Sequence, residues 1–177
     1  MRWVLLAVVV GLLGLAINFA MRVGAFKEVM ITTEDQGPFK VVSRKHDGAY
    51  HKIEGTIEEV EKWAHANGET CKVSFGEFLD DPKVVDEDRL RSNAGCIVEK
   101  DWTKGLPEGS EFRTLPRRRF IVAKFEGAPG IGPLKVYPRA FRELEEKKKT
   151  LDGPIIETYE LLPEEKVRTT YLFPIKP

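Results

Sequence analysis

The sequence predicts an α+β domain, built as a tandem β-α-β-β repeat, behind an N-terminal transmembrane helix. Three observations predict this fold class: an uncharged apolar run at the N-terminal end, two helical segments that each lie between β-rich segments, and short matches between the two halves of the remaining chain. In this arrangement the strands form one antiparallel sheet with pseudo-two-fold symmetry, and both helices pack on one face of it.

Residues 3–21 form the apolar run and contain no charged side chain. A helix of that length, at about 1.5 Å per residue, spans roughly 28 Å, close to the hydrocarbon thickness of a bilayer. We therefore expect a single-pass membrane anchor. The alternative is a cleaved signal peptide, but its best cleavage site would place Asn18 where a small residue is preferred. Arg2 on one flank, and Arg22 with Lys27 on the other, leave the side of the soluble domain undetermined.

A short connector is expected over residues 22–38, followed by a single domain over residues 39–177. The first repeat begins with the β-rich segment Phe39–Arg44. Its helix is expected to begin at Thr56, which forms a capping-box pattern with Glu59. Two further strands complete the first repeat: Cys71–Leu79 and Gly95–Glu99.

The second repeat follows an irregular segment, Trp102–Arg119. Its helix is expected to have Pro138 in the first turn, where a missing N–H costs nothing. Its strands are expected at Phe120–Phe125, Ile155–Leu161 and Val167–Phe173. Residues 46–49 match residues 125–128 at a spacing of 79, and Pro82 matches Pro163 at a spacing of 81, which supports a duplication.

The composition limits the classes of function. Lysine and arginine number 28 and aspartate and glutamate number 28, and this balance argues against a nucleic-acid partner. A simple hairpin register places Cys71 and Cys96 about five residues apart, so we expect free thiols. The three histidines show no metal-ligand spacing. We therefore expect no metal and no cofactor.

Seven short motifs follow one another along the chain: Gly48-Ala49-Tyr50, Phe75–Pro82, Arg89-Leu90-Arg91, Gly95-Cys96, Phe125-Glu126-Gly127, Glu157-Thr158-Tyr159 and Tyr171–Ile175. Their types and their order resemble the GyrI-like small-molecule-binding family, which has the effector-binding domain fold of multidrug-sensing regulators. The resemblance covers approximately residues 39–176. Pro129 stands where the second Gly-x-Tyr motif would place its aromatic residue, and this departure puts one wall of the family's pocket in doubt.

The resemblance implies a tandem β-α-β-β domain with an apolar, aromatic pocket that holds one glutamate. Glu157 is the candidate, and Tyr159 lies on the same side of its strand because side chains alternate. The alternative is a surface glutamate that faces water. Phe78, which the repeat aligns with Tyr159, is either a pocket wall or a core residue, and Tyr50 is either pocket or packing. The candidate ligand-binding residues are Tyr50, Phe78, Glu157, Tyr159 and Tyr171.

We therefore expect a membrane-anchored domain that binds a small hydrophobic or cationic molecule. One branch of the family hydrolyses strained compounds and another is membrane-anchored. These leave two alternatives: a hydrolase of strained or electrophilic molecules in which Glu157 is the general base, and a tethered adaptor module. No strong catalytic set is visible, so a binding protein is favoured over an enzyme.

Overall fold

The computed structural model describes residues 2–102, 105–163 and 166–176, and these residues form three α-helices and eight strands. The helices are α1 (Arg2–Arg22), α2 (Ile53–Ala66) and α3 (Gly132–Glu146). The strands are β1 (Met30–Gln36), β2 (Phe39–Asp47), β3 (Val73–Phe78), β4 (Arg91–Ile97), β5 (Ser110–Leu115), β6 (Arg118–Glu126), β7 (Ile155–Leu162) and β8 (Lys166–Pro174).

The tandem repeat is confirmed. The strands form one antiparallel sheet in the order β1-β6-β8-β7-β3-β4-β2-β5. The repeats are β2-α2-β3-β4 and β6-α3-β7-β8, and they meet where β3 pairs with β7. At this seam Gly76 lies opposite Glu157. These two residues are 81 positions apart, which is one of the spacings of the sequence repeat, so the pseudo-two-fold axis passes through this pair.

Both helices pack on the same face of the sheet. Each presents apolar side chains at helical spacing, so one stripe of the helix is buried and the other faces water. The buried residues of α2 are Ile53, Ile57, Val60 and Ala64, and those of α3 are Gly132, Val136, Ala140 and Leu144. They contact sheet residues that include Val42, Ala94, Cys96, Ile121, Ala123 and Phe173.

Two short links force the sheet to curve. Gly37 and Pro38 join β1, the first strand in the sheet, to β2, the seventh. Pro116 and Arg117 join β5, the eighth strand, to β6, the second. Two residues cannot cross a flat sheet of this width, so its two edges must approach each other. The links meet: a Cβ on Gly37 would lie 3.3 Å from Arg117 Cα.

The helix-free face curves around a second apolar core, which is separate from the residues under the helices. Its buried members are Val41, Phe75, Leu115, Phe120, Val122, Ile156 and Leu172. Because side chains alternate along a strand, this core and the helix-side core use successive residues of the same strands. Both faces are therefore filled.

Two strands were not expected from the sequence. Met30–Gln36, in the expected connector over residues 22–38, is β1 and pairs with β6. Ser110–Leu115, in the segment expected to be irregular, is β5 and pairs with β2. Both are edge strands whose polar residues partly face water, so neither has the apolar run that identifies an inner strand. Thr103 and Lys104 of that segment lie outside the described residues.

Both domain helices begin earlier than expected. Helix α2 begins at Ile53 rather than Thr56, because a 3₁₀ turn leads directly into it. Thr56 is then inside the helix, where its Oγ1 lies 3.1 Å from His46 Nδ1. Helix α3 begins at Gly132, with Pro133 in its first turn, so Pro138 lies inside the helix rather than at its start. Phe141 of this helix is 41% exposed.

The expectation of free thiols is wrong, because Cys71 and Cys96 form a disulfide with a Cα–Cα distance of 5.5 Å. Cys71 precedes β3, which begins at Val73, so the hairpin register does not extend to it. The chain turns there, with the Lys72 N–H donating to the Thr70 carbonyl at 3.0 Å. This turn brings the sulfur of Cys71 back over β4.

Candidate functional site

Glu157 occupies the centre of the helix-bearing face, on the pseudo-two-fold axis, and is 5% exposed. Gly76 faces it from β3 and Tyr171 from β8. A Cβ on Gly76 would lie 2.9 Å from Ile53 Cδ1, so a glycine here allows the start of α2 to pack directly on the sheet. Glu157 therefore lies beneath the region where the two helices approach the seam.

Two tyrosine hydroxyls hold the carboxylate. Tyr137 of α3 donates to Glu157 Oε1 at 2.7 Å, and Tyr159 of β7 donates to Glu157 Oε2 at 3.0 Å. Burial raises the pKa of Glu157 to about 7, although both hydrogen bonds act to lower it. Burial and the nearby Glu157 charge also raise the pKa of Tyr137 and of Tyr159, so both phenols remain protonated donors. The site thus holds a carboxyl group that titrates near neutral pH.

Aromatic rings connect this carboxylate to the surface. The Tyr137 ring centroid lies 5.9 Å from that of Tyr171, 5.5 Å from that of Phe173 and 6.1 Å from that of Phe141. The partly exposed Phe141 ring has the ammonium of Lys83 at 5.9 Å from its centroid. Ring faces carry partial negative charge, so this wall favours a cation.

The structure brings three of the five candidate residues together around one carboxylate: Glu157, Tyr159 and Tyr171. The alternative of a water-facing Glu157 does not fit its burial. Phe78 packs in the same apolar cluster as Tyr159, beside the start of α2. Tyr50 contacts Phe78 at a centroid distance of 4.7 Å, but its hydroxyl donates to the Asp80 carbonyl at 2.9 Å. Tyr50 therefore also fixes the loop that follows β3.

Tyr171 is fully buried, and its hydroxyl lies against the first residue of α3. A Cβ on Gly132 would lie 2.0 Å from the Tyr171 oxygen, so only glycine allows this approach. Among the described residues this hydroxyl has no hydrogen-bond partner. The hydroxyl thus lies at the start of α3 and makes no hydrogen bond with Glu157.

Sequence reasoning missed Tyr137, because none of the motifs that carry the family resemblance contains it and the neighbouring Pro138 was placed in the first turn of the helix. The signal that could have found it is Gly132-Pro133, since proline is frequent at the first positions of a helix. Tyr137 contributes a ring and a hydroxyl to the site from α3, although Pro129 stands at the position where the family motif has an aromatic residue.

A second buried carboxylate, Glu77, was also missed. It lies on the helix-free face and is 7% exposed. It accepts hydrogen bonds from Asn93 Nδ2 at 2.8 Å and from the Arg113 guanidinium. Glu77 thus has a cationic partner, whereas the hydrogen-bond partners of Glu157 are two phenols.

Comparisons with known proteins agree with this architecture. The family model for the GyrI-like small molecule binding domain matches residues 29–176. No curated protein matches the chain. Among solved structures, the C-terminal domain of EcmrR has a TM-score of 0.66 at 15% identity, covering 84% of this chain and 98% of that one.

Two other solved structures show the same fold. EcmrR in a complex with DNA has a TM-score of 0.64 at 12% identity, covering 91% of this chain and 63% of that one. SAV2435 bound to tetraphenylphosphonium has a TM-score of 0.55 at 12% identity, covering 83% of this chain and 94% of that one.

The raised pKa of Glu157 predicts a pH-dependent stability. The folded state keeps the Glu157 proton up to about pH 7, whereas an unfolded glutamate loses it near pH 4.5. The stability that this proton provides is therefore present below pH 4.5 and is lost as the pH rises through 7. Relative to Glu157→Gln, the wild-type free energy of unfolding should fall by about 3 kcal/mol across this window. Urea denaturation of both proteins at pH 4.5, 6 and 8 measures this difference, and a pH-independent difference would contradict the assignment.

Proposed function

The chain belongs to the GyrI-like small-molecule-binding domain family, and from this premise we propose that it is a membrane-anchored protein whose domain binds small hydrophobic cations at Glu157. One observation carries the proposal: a carboxylate without a cationic side chain among its hydrogen-bond partners is buried beneath aromatic rings at the centre of the sheet. Such a group is costly to ionise when the site is empty, and a bound cation offsets that cost.

The ligand class follows from the two parts of the site. The aromatic wall of Tyr137, Phe141 and Phe173 suits a large apolar body, and the Glu157 carboxylate suits a positive charge. A delocalised organic cation has both an apolar body and a positive charge, and its burial costs less hydration free energy than the burial of a compact ion. SAV2435, which shares the fold, is bound to the lipophilic cation tetraphenylphosphonium, and this supports the proposed class.

Binding requires a local rearrangement. Both Glu157 oxygens are engaged and the residue is nearly inaccessible, so a ligand must displace the Tyr137 hydroxyl. The route that we propose runs between α3 and the loop after β3, where Lys83 lies over the exposed Phe141 ring. The Lys83 ammonium is a cation of the protein itself at the outer end of the aromatic wall, and an incoming ligand would replace it there.

We propose that α1 is the membrane anchor. It is the one helix among the described residues with the length and apolar composition to cross a bilayer, and none of its residues packs inside the domain. Its C-terminal end is tied to the domain, because the Ala128 N–H donates to the Val23 carbonyl at 3.1 Å. Lys135 of α3 adds hydrogen bonds to the carbonyls of Ala25, at 2.7 Å, and Lys27. The binding domain would thus be held close to the bilayer surface.

A hydrolase is the second candidate function, and one observation favours it. A glutamate whose pKa is near 7 is well matched to general-base catalysis at neutral pH. Product formation from strained or electrophilic substrates that depends on Glu157 would favour this candidate, and reversible binding without turnover would favour the first.

Calorimetric titration with tetraphenylphosphonium tests the binding site. Glu157→Gln keeps the shape of the side chain and removes its charge, so affinity should fall by about 10- to 100-fold, equivalent to about 1.4–2.8 kcal/mol. The matched control is Glu160→Gln, because Glu160 is on the same strand but on the other face, where it pairs with Arg168 at 3.3 Å. Equal affinity of wild type and Glu157→Gln would remove Glu157 from the site.

Membrane extraction tests the anchor. After expression of the full chain, alkaline carbonate should leave the protein in the membrane pellet, because an apolar helix of this length is not released by high pH. Immunoblotting of pellet and supernatant measures the distribution. Release at a mass lowered by about 2 kDa would instead show that the helix is a cleaved signal peptide.

A further inference from the structure

The Cys71–Cys96 disulfide lies within the first repeat, under the C-terminal half of α2. It joins the turn after α2 to β4 and is surrounded by apolar side chains. Cys96 is fully buried, and Cys71 is half-buried. The residues that pack in this cluster are Val42, Val60, Val98, Trp63, Trp102, Leu106 and Phe112. The disulfide is therefore part of the core of the domain.

A core disulfide indicates the compartment in which a domain folds. Thiol-reducing systems keep cysteine pairs reduced in the cytosol, whereas disulfides form and persist in exported domains. We infer that the soluble domain folds and works on the oxidising side of the membrane, and that α1 crosses with Arg2 on the reducing side. Forming the bond joins the two sulfurs, releases two protons and passes two electrons to a protein disulfide oxidant of that compartment.

The compartment part of this inference does not depend on the proposed anchor. A cleaved signal peptide would deliver the domain to the oxidising side, and so would a retained α1 that crosses with Arg2 on the reducing side. Only the orientation of α1 therefore rests on the proposed function. The inference adds a source for the ligand. The site at Glu157 would meet cations that arrive from outside the cytosol, before they cross the membrane.

The charges beside α1 offer little opposing information. Arg2 precedes the apolar run, and Arg22 and Lys27 follow it, so the excess on the domain side is one positive charge. Lys27 is moreover ion-paired with Glu126 of β6 at 3.8 Å, so it belongs to the folded domain rather than to a free flank. The cysteine pair therefore decides the orientation.

Metal binding is the other chemistry that this cluster offers. One carboxylate oxygen of Glu61 and the two sulfurs lie within 4.8 Å of one another. If the cysteines were reduced, two thiolates and a carboxylate could hold Zn²⁺ in a cytosolic domain. The disulfide and the metal site exclude each other, because sulfurs that are bonded together offer no thiolate.

Thiol trapping in cells tests the inference. The full chain is expressed in a bacterial host with an oxidising periplasm, the cells are quenched in acid, and the denatured protein is alkylated with a polyethylene glycol maleimide. Without a reductant, no label is expected; after reduction, two labels are expected. Cys71→Ser and Cys96→Ser should each accept one label without reduction. Because labelling is done on denatured protein, misfolding of a variant does not affect the result.

A topology assay completes the test. Protease added to spheroplasts of the same cells should digest the domain and spare a cytosolic marker. Two labels before reduction, a domain protected from the protease, or one zinc ion per purified chain would each overturn the inference. The two proposals can fail separately. If the thiols are free but the protein still binds tetraphenylphosphonium through Glu157 and stays in the membrane pellet, this inference is wrong and the proposed function stands.

Discussion

The burial of Glu157 is the constraint on which the rest of this site depends. Its carboxylate lies at the middle of an eight-stranded sheet, and two phenol hydroxyls bind it where a cationic side chain would normally be found. Burying such a group in its charged form is costly, so the empty protein holds it near its titration point. Gly76 opposite it, the close approach of α2 and the placement of Tyr137 on α3 all serve to enclose this one side chain.

Duplication explains how a nearly symmetric fold has a single glutamate at its axis. The axis relates β3 to β7, and the equivalent positions on it carry Gly76 in one repeat and Glu157 in the other. Two carboxylates facing each other there would repel, whereas one carboxylate opposite a glycine leaves space for neighbouring side chains. The other buried glutamate, Glu77, lies on the opposite face and is neutralised by Arg113. The two buried glutamates therefore differ in their partners, because Glu157 has no cationic side chain among its hydrogen-bond partners in the described residues.

Apolar periodicity and repeat spacing were enough to predict the element order of the two repeats and the shared face of the helices, whereas the candidate glutamate came from the resemblance to the GyrI-like family. The same signals could not identify β1 and β5, because edge strands with polar residues lack an apolar run. They also misplaced Cys71, since a turn before β3 interrupts the hairpin register on which the expectation of free thiols rested. Tyr137 was not identified, because it belongs to none of the motifs that carry the family resemblance. Local sequence patterns thus predicted the helix and sheet layers of the domain. The contacts between these layers depend on turns and on the first residues of helices, and the patterns did not resolve those.

The number of protons released when a ligand binds is the most direct test of the central claim, that the positive charge of a ligand replaces a proton on Glu157. At pH 6.5 the free carboxyl is mostly protonated, and a bound organic cation should ionise it. Calorimetric titration of tetraphenylphosphonium in buffers of different ionisation enthalpy measures the protons released per ligand. The account predicts the release of more than half a proton by wild type and almost none by Glu157→Gln. Binding by the wild-type protein without proton release would contradict it.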